Sequence, residues 1–122
     1  MAYEEALASR VRSALLRAGV VDAGEIPMFG GLCFTVGGHM CCGVTGSDLM
    51  VRVGPDQHSA ALARPHARPM DFTGRPLRGF VFVAPEGSRR SDQVARWVGL
   101  ALTFTASLPA KSSRTRRRRR PL

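Results

Sequence analysis

The chain has 122 residues, with 18 lysines and arginines against 9 acidic residues and a net charge of +9. That length holds one domain with a modest core, because short chains bury a smaller share of their surface. Lys111, Arg114 and Arg116 to Arg120 supply seven of the positive charges, so residues 1–110 carry nine less seven, a net +2, which excludes a folded body built as one broad nucleic-acid-binding face.

Residues 3–18 read as an amphipathic helix. Tyr3, Leu7, Val11 and Leu15 recur every four residues, Ala14 and Ala18 extend the stripe, and Gly19 suits a left-handed stop. From 25 to 54 the pattern changes to short apolar runs punctuated by glycine. Gly30-Gly31, Gly37-Gly38 and Gly46-Ser47 are two-residue hairpin turns, which predicts four antiparallel strands at about 25–29, 32–36, 39–45 and 48–53. Pro55-Asp56 opens a short helix to about Ala63. Residues 64–76 are broken by Pro65, Pro69, Gly74 and Pro76, with a weak strand at 70–72, and 79–84 is a strong strand. Ser91 or Asp92 caps a last helix whose stripe is Val94, Trp97, Val98, Ala101, Phe104 and Leu108. The order α-β-β-β-β-α-(β)-β-α predicts an α+β fold, a two-layer packing of helices on an antiparallel meander sheet. The expected domain is 1–109, followed by a disordered arginine-rich tail at 110–122 that has nothing to bury.

The turns also imply a register. With Gly37-Gly38 as the loop, Val36 faces His39 and Cys33 faces Cys42. One sheet face then carries Cys33, Thr35, Met40, Cys42, Val44, Leu49, Val51 and Val53 and packs under helices. The other carries Leu32, Phe34, Val36, Cys41, Met50 and Arg52. Left uncovered, that second face is an apolar patch of the kind that marks a partner surface or self-association; Phe34, Met50 and Arg52 are its candidate contact residues. The opposed Cys33 and Cys42 are a candidate redox pair, at the short edge of disulfide range. The plainer alternative is two small apolar side chains packed side by side, because thiols in a reducing compartment stay reduced.

Further chemistry is sparse. His39 and Cys41 point to one face and Cys33 and Cys42 to the other, which splits any four-ligand metal set; no metal or cofactor is expected. His39, His58 and His66 have no nucleophile at motif spacing, and Asp48, Asp56, Asp92, Glu4 and Glu5 sit where turns and helix starts account for them. A cysteine- or histidine-dependent enzyme is therefore the last-ranked reading. In the tail, Arg114, Arg116, Arg117, Arg118, Arg119 and Arg120 are candidate contacts to nucleic acid, by phosphate neutralisation without base reading; the alternative is a solubilising extension. No run approaches the roughly 20 apolar residues of a membrane span. Glu4 and Glu5 with no following apolar run exclude a signal peptide. Three cysteines and no such signal place the protein in a reducing cytoplasm, with no membrane partner.

Several blocks carry a family resemblance. Met28-Phe29-Gly30-Gly31-Leu32, Gly38-His39-Met40-Cys41-Cys42-Gly43-Val44, Asp48-Leu49-Met50-Val51-Arg52-Val53-Gly54, Ala67-Arg68-Pro69-Met70-Asp71-Phe72 and Gly79-Phe80-Val81-Phe82-Val83, in this order, resemble the TfoX N-terminal domain family over about residues 3–109. The resemblance implies helix, meander, helix, two strands and helix, the order read above. Two-domain members of that family regulate natural competence for DNA uptake. This chain has no room for a second domain after Leu108, and Pro27 stands where the family often has a basic residue. The resemblance thus implies a stand-alone, bacterial, non-enzymatic regulatory module acting through an unknown protein partner.

Overall fold

The computed structural model describes residues 3–28, 30–71 and 76–109. Helix α1 spans Glu5–Arg17, and four strands follow: β1 Gly24–Met28, β2 Gly31–Val36, β3 His39–Thr45 and β4 Asp48–Arg52. A 3-10 turn at Pro55–Gln57 leads into α2, His58–Leu62. Strands β5, Ala67–Asp71, and β6, Pro76–Val83, precede a second 3-10 turn at Pro85–Gly87 and the long α3, Ser91–Ala106. The order of elements and the α+β class are those the sequence predicts. The weak strand proves longer than expected, and α3 starts at Ser91, with Gln93 Oε1 accepting the Arg90 backbone N–H at 2.9 Å. That bond satisfies one of the donors a helix N-terminus leaves open.

The six strands form one antiparallel sheet in the order β1-β2-β3-β4-β6-β5. The β2–β3 turn is built by Gly37 and Gly38 at φ 61° and 81°. Two consecutive positive φ values define the mirror-image turn that matches strand twist, and glycine adopts them without a Cβ clash.

Helices α1 and α3 cover one face. Leu7, Val11 and Leu15 of α1 and Val94, Trp97, Val98 and Ala101 of α3 join Leu32, Phe34, Cys42, Val44, Leu49, Val51, Val81 and Val83 of the sheet in one buried cluster. The α1 stripe predicted from four-residue spacing is thus the core stripe, with Ala8 and Ala14 completing it.

The register departs from the turn-based expectation. Val36 pairs with His39 and Thr35 with Met40, as read from the turn, but the next pair is Phe34 with Cys42. Cys41 is an extra residue, a β-bulge, and beyond it every β2 side chain meets a different partner. Cys33 consequently faces Gly43, not Cys42. The face assignment of β2 inverts with it: Leu32 and Phe34 lie under the helices, and Cys33 lies on the opposite side. Burial gives the reason. Leu32 and Phe34 offer far more apolar area than Cys33 and Thr35, and the bulge allows them to share the covered face with Cys42 and Val44.

Candidate functional site: the methionine-lined face

Side chains opposite the helices form a second cluster of Cys33, Met50, Met70 and Phe82, flanked by Met28, Met40 and Phe80. Among the described residues this cluster draws no member from a helix. Every methionine beyond Met1 belongs to it. Register explains the convergence. Ile26, Cys33, Gly43, Met50, Phe82 and Arg68 stand opposite one another from β1 across to β5. Directly paired residues share a face of an antiparallel sheet.

Gly43 makes room at the centre. A methyl group there would lie 2.6 Å from the Leu32 carbonyl oxygen and 3.1 Å from Met50 Cε. The unbranched Met50 thioether folds into that space, as methionine does in irregular gaps. The central side chains are at most 6% exposed. Accessible apolar surface is instead at the margin, in half-buried Met28, Met40 and Phe80 and in Ile26, which is 44% exposed.

Two arginines, Arg52 of β4 and Arg68 of β5, lie against this cluster. Arg52 Cζ lies 5.4 Å from the Phe80 ring centre and 5.2 Å from that of Phe104, and its Nη1 donates to the Met40 carbonyl at 3.2 Å. Arg68 Cζ sits 4.9 Å above Phe82, and its Nη2 pairs with Asp48 Oδ2 at 2.7 Å. Stacking and hydrogen bonding hold both guanidinium groups against the apolar floor, which reduces the ordering cost of a contact made there.

The residues singled out from sequence are thus dispersed. Met50 and Arg52 do share the face opposite the helices, with Met50 buried there. Phe34 does not: it is 0% exposed beneath the helices and is removed from the candidate surface by the bulge. Cys33 and Cys42 lie in clusters on opposite faces, and all three cysteines are free and buried. Burial pushes the Cys33 thiol up to about 11. The hydrogen bond with Cys41, joined by burial, raises Cys42 well above the ordinary thiol range. Cys41 is lowered, first by the same bond with Cys42 and further by Thr105 and Arg52, against the opposing effect of burial. Cys33 and Cys42 are therefore protonated at neutral pH and unsuited to nucleophilic attack. Arg114 and Arg116 to Arg120 lie outside the described residues, as does the whole segment 110–122.

Sequence reasoning missed Met28, Met40, Met70 and Phe82 as members of one surface. Their signal was present as an unusual gathering of methionines at strand positions, but it became a face only through pairing.

Among the described residues no group of three or more His, Cys, Asp or Glu side chains is placed to hold a metal ion. No described helix is long and apolar enough to cross a membrane. No curated protein and no solved structure matches the chain. The model of the TfoX N-terminal domain matches residues 15–105, which takes in the entire sheet and nearly all of α3, and the chain belongs to that family.

Proposed function

We propose that the protein is a non-enzymatic regulatory module of a bacterial cytoplasm that works by binding another protein through the methionine-lined face. The observation that carries this reading is a sheet face whose buried cluster, among the described residues, takes no side chain from a helix, with Met28, Met40 and Phe80 half-buried at its margin and Arg52 and Arg68 stacked on Phe80 and Phe82. Methionine adapts to varied apolar partners, and arginine is enriched where interfaces concentrate their energy. Cys33 and Cys42 are buried and held above the ordinary thiol range, which disfavours a nucleophilic role for those two.

The test is affinity capture with three forms of the full chain: wild type, Met40→Asp, and Arg17→Glu as a surface control on α1. A partner held by the wild type and the control but lost with Met40→Asp supports the reading. An identical set of captured proteins for all three refutes it. Sedimentation of the same three forms shows whether the partner is a second copy of this chain.

A second reading rests on the run Arg116 to Arg120. Five adjacent guanidinium groups release counterions from a nucleic-acid backbone without reading its sequence. Under that reading, replacing these five with glutamine abolishes binding to duplex DNA, and Met40→Asp leaves it unchanged.

A further inference from the structure

A cleft of about 290 Å³ opens on the helix side of the molecule, between the α2–β5 connection, the 3-10 turn before α3 and the first two turns of α3. It is apart from the methionine face in both position and chemistry. Its floor is Trp97, which is 6% exposed, and its charged walls are Arg64 and Arg96. Among the described residues no carboxylate lines it.

The arginines are positioned but not neutralised. Arg64 Cζ lies 5.3 Å from the Trp97 ring centre, a cation–π contact that holds its guanidinium over the cleft floor. Among the described residues Arg64 has neither a salt bridge nor a side-chain hydrogen bond, which leaves its N–H edge open. Arg96 gives Nη2 to Asp92 Oδ2 at 3.2 Å. Asp92, however, is held more closely by Arg90, whose Nε and Nη2 reach its two oxygens at 3.0 and 3.1 Å. One carboxylate shared by two guanidinium groups leaves a net positive charge beside the cleft.

The backbone around it is shaped to the same end. His66, at φ 71°, is the one non-glycine residue with positive φ among those described. Its carbonyl accepts from the Ala84 N–H at 2.9 Å. A methyl group on Gly87 would come within 2.9 Å of His66 Cβ and 2.7 Å of Val83 Cγ1, so only glycine lets the His66 loop seat there. Left-handed backbone outside glycine is unfavourable and persists where the surroundings enforce it. The enforced turn sets Arg64 and His66 on the same rim. Gln93, bonded through both ends of its amide to Arg90 N and Glu86 O, closes the other side as a fixed wall.

We propose that this cleft binds a compact phosphate-type oxyanion, either free or as the monoester of a small molecule, with Arg64 and Arg96 as its principal donors. The planar guanidinium fork matches two oxygens of such a group, and the contact with Trp97 keeps it at the cleft. The volume is at the lower limit for small-molecule pockets, which fits a phosphoryl group with a short organic stub.

The chain contains a single tryptophan, Trp97, so intrinsic fluorescence reports on this cleft directly. The full-length protein is titrated with inorganic phosphate and with glycerol 3-phosphate at constant ionic strength, with potassium chloride as the blank. The backbone amide shift of Gly87, followed by NMR, gives the same isotherm independently of any change in tryptophan stacking. The wild type should saturate, Arg64→Gln should bind about tenfold more weakly or worse, and Arg64→Lys should fall between them. Arg17→Gln should match the wild type. Because the arginine-rich tail is present in every form, its own phosphate contacts cancel in the comparison. Tighter binding of the ester identifies a small phosphomonoester as the ligand class, and equal binding identifies phosphate itself. Absence of saturation, or equal isotherms for wild type and Arg64→Gln, overturns the proposal.

Discussion

Replacing Phe34 with alanine distinguishes the bulged register from the one expected from the turns alone. The ring is 0% exposed and packs in the cluster beneath α1 and α3, with Arg12 Cζ 5.9 Å from its centre. A phenyl group that loses roughly 150 Å² of buried apolar surface at about 25 cal/mol/Å² forfeits about 4 kcal/mol. That figure lies inside the roughly 3–5 kcal/mol observed when buried Phe becomes Ala. Small domains have about 5–15 kcal/mol of total stability, so the variant should stay folded but with a much reduced margin. Each kcal/mol shifts the midpoint of a domain of this size by about 4–8 °C, which gives a drop of roughly 15–30 °C. Urea unfolding followed by Trp97 fluorescence measures the change directly, with Thr35→Ala, on the opposite side of β2, as the reference. A loss under about 1 kcal/mol for Phe34→Ala would show that the ring is not in the core and that the bulge at Cys41 is misplaced.

Two other outcomes follow from particular contacts. Cys33 faces Gly43 and lies on the side of the sheet opposite Cys42, so mild oxidation of the native protein should yield no Cys33–Cys42 disulfide; peptide mapping under non-reducing conditions checks this, and recovery of that crosslink refutes the register. Arg12 bridges Glu5 at 3.0 Å and Glu25 at 2.8 Å, tying α1 to β1, and its hydrogen bond holds the Glu25 carboxyl below its usual range. A carboxylate lowered by folding contributes stability that is present above its unfolded pKa and lost as pH falls through the folded one. Glu25→Gln should therefore cost up to about 1 kcal/mol near neutrality, given the exposure of the pair, and nothing once both states are protonated in acid. A wild-type-to-variant difference in urea midpoint that is constant from neutral to strongly acidic pH contradicts that assignment.

Local signals carried most of the architecture. The four-residue spacing of Leu7, Val11 and Leu15 and the stripe from Val94 to Ala101 depend on helix geometry alone, and both stripes are buried as read. Gly37-Gly38 and Gly46-Ser47 located two hairpin turns because positive φ is a property of glycine itself, whereas Gly31, read as part of the first turn, is the first residue of β2 and pairs with Met28. Family membership was legible for the same reason, since the blocks around Gly30, Gly38 and Asp48 are contiguous in sequence.

What the sequence left open depends on residues far apart along the chain. The bulge at Cys41 has no local marker, because it arises from which of two alternating sets on β2 gains more by lying under α1 and α3. A one-residue shift sends every later side chain to the other face, so a correct turn still yielded an incorrect place for Phe34 and a false partner for Cys33. The pairing of β4 with β6, which brings Met50 beside Phe82, and the meeting of Arg64 with Trp97 are likewise set by tertiary packing. The sequence by itself determined the elements and their order and, to within a residue, the turns between them, because those follow from short-range periodicity and backbone preference. Only the tertiary structure decided which face each side chain occupies, because that choice is made by competition for buried area across the whole sheet.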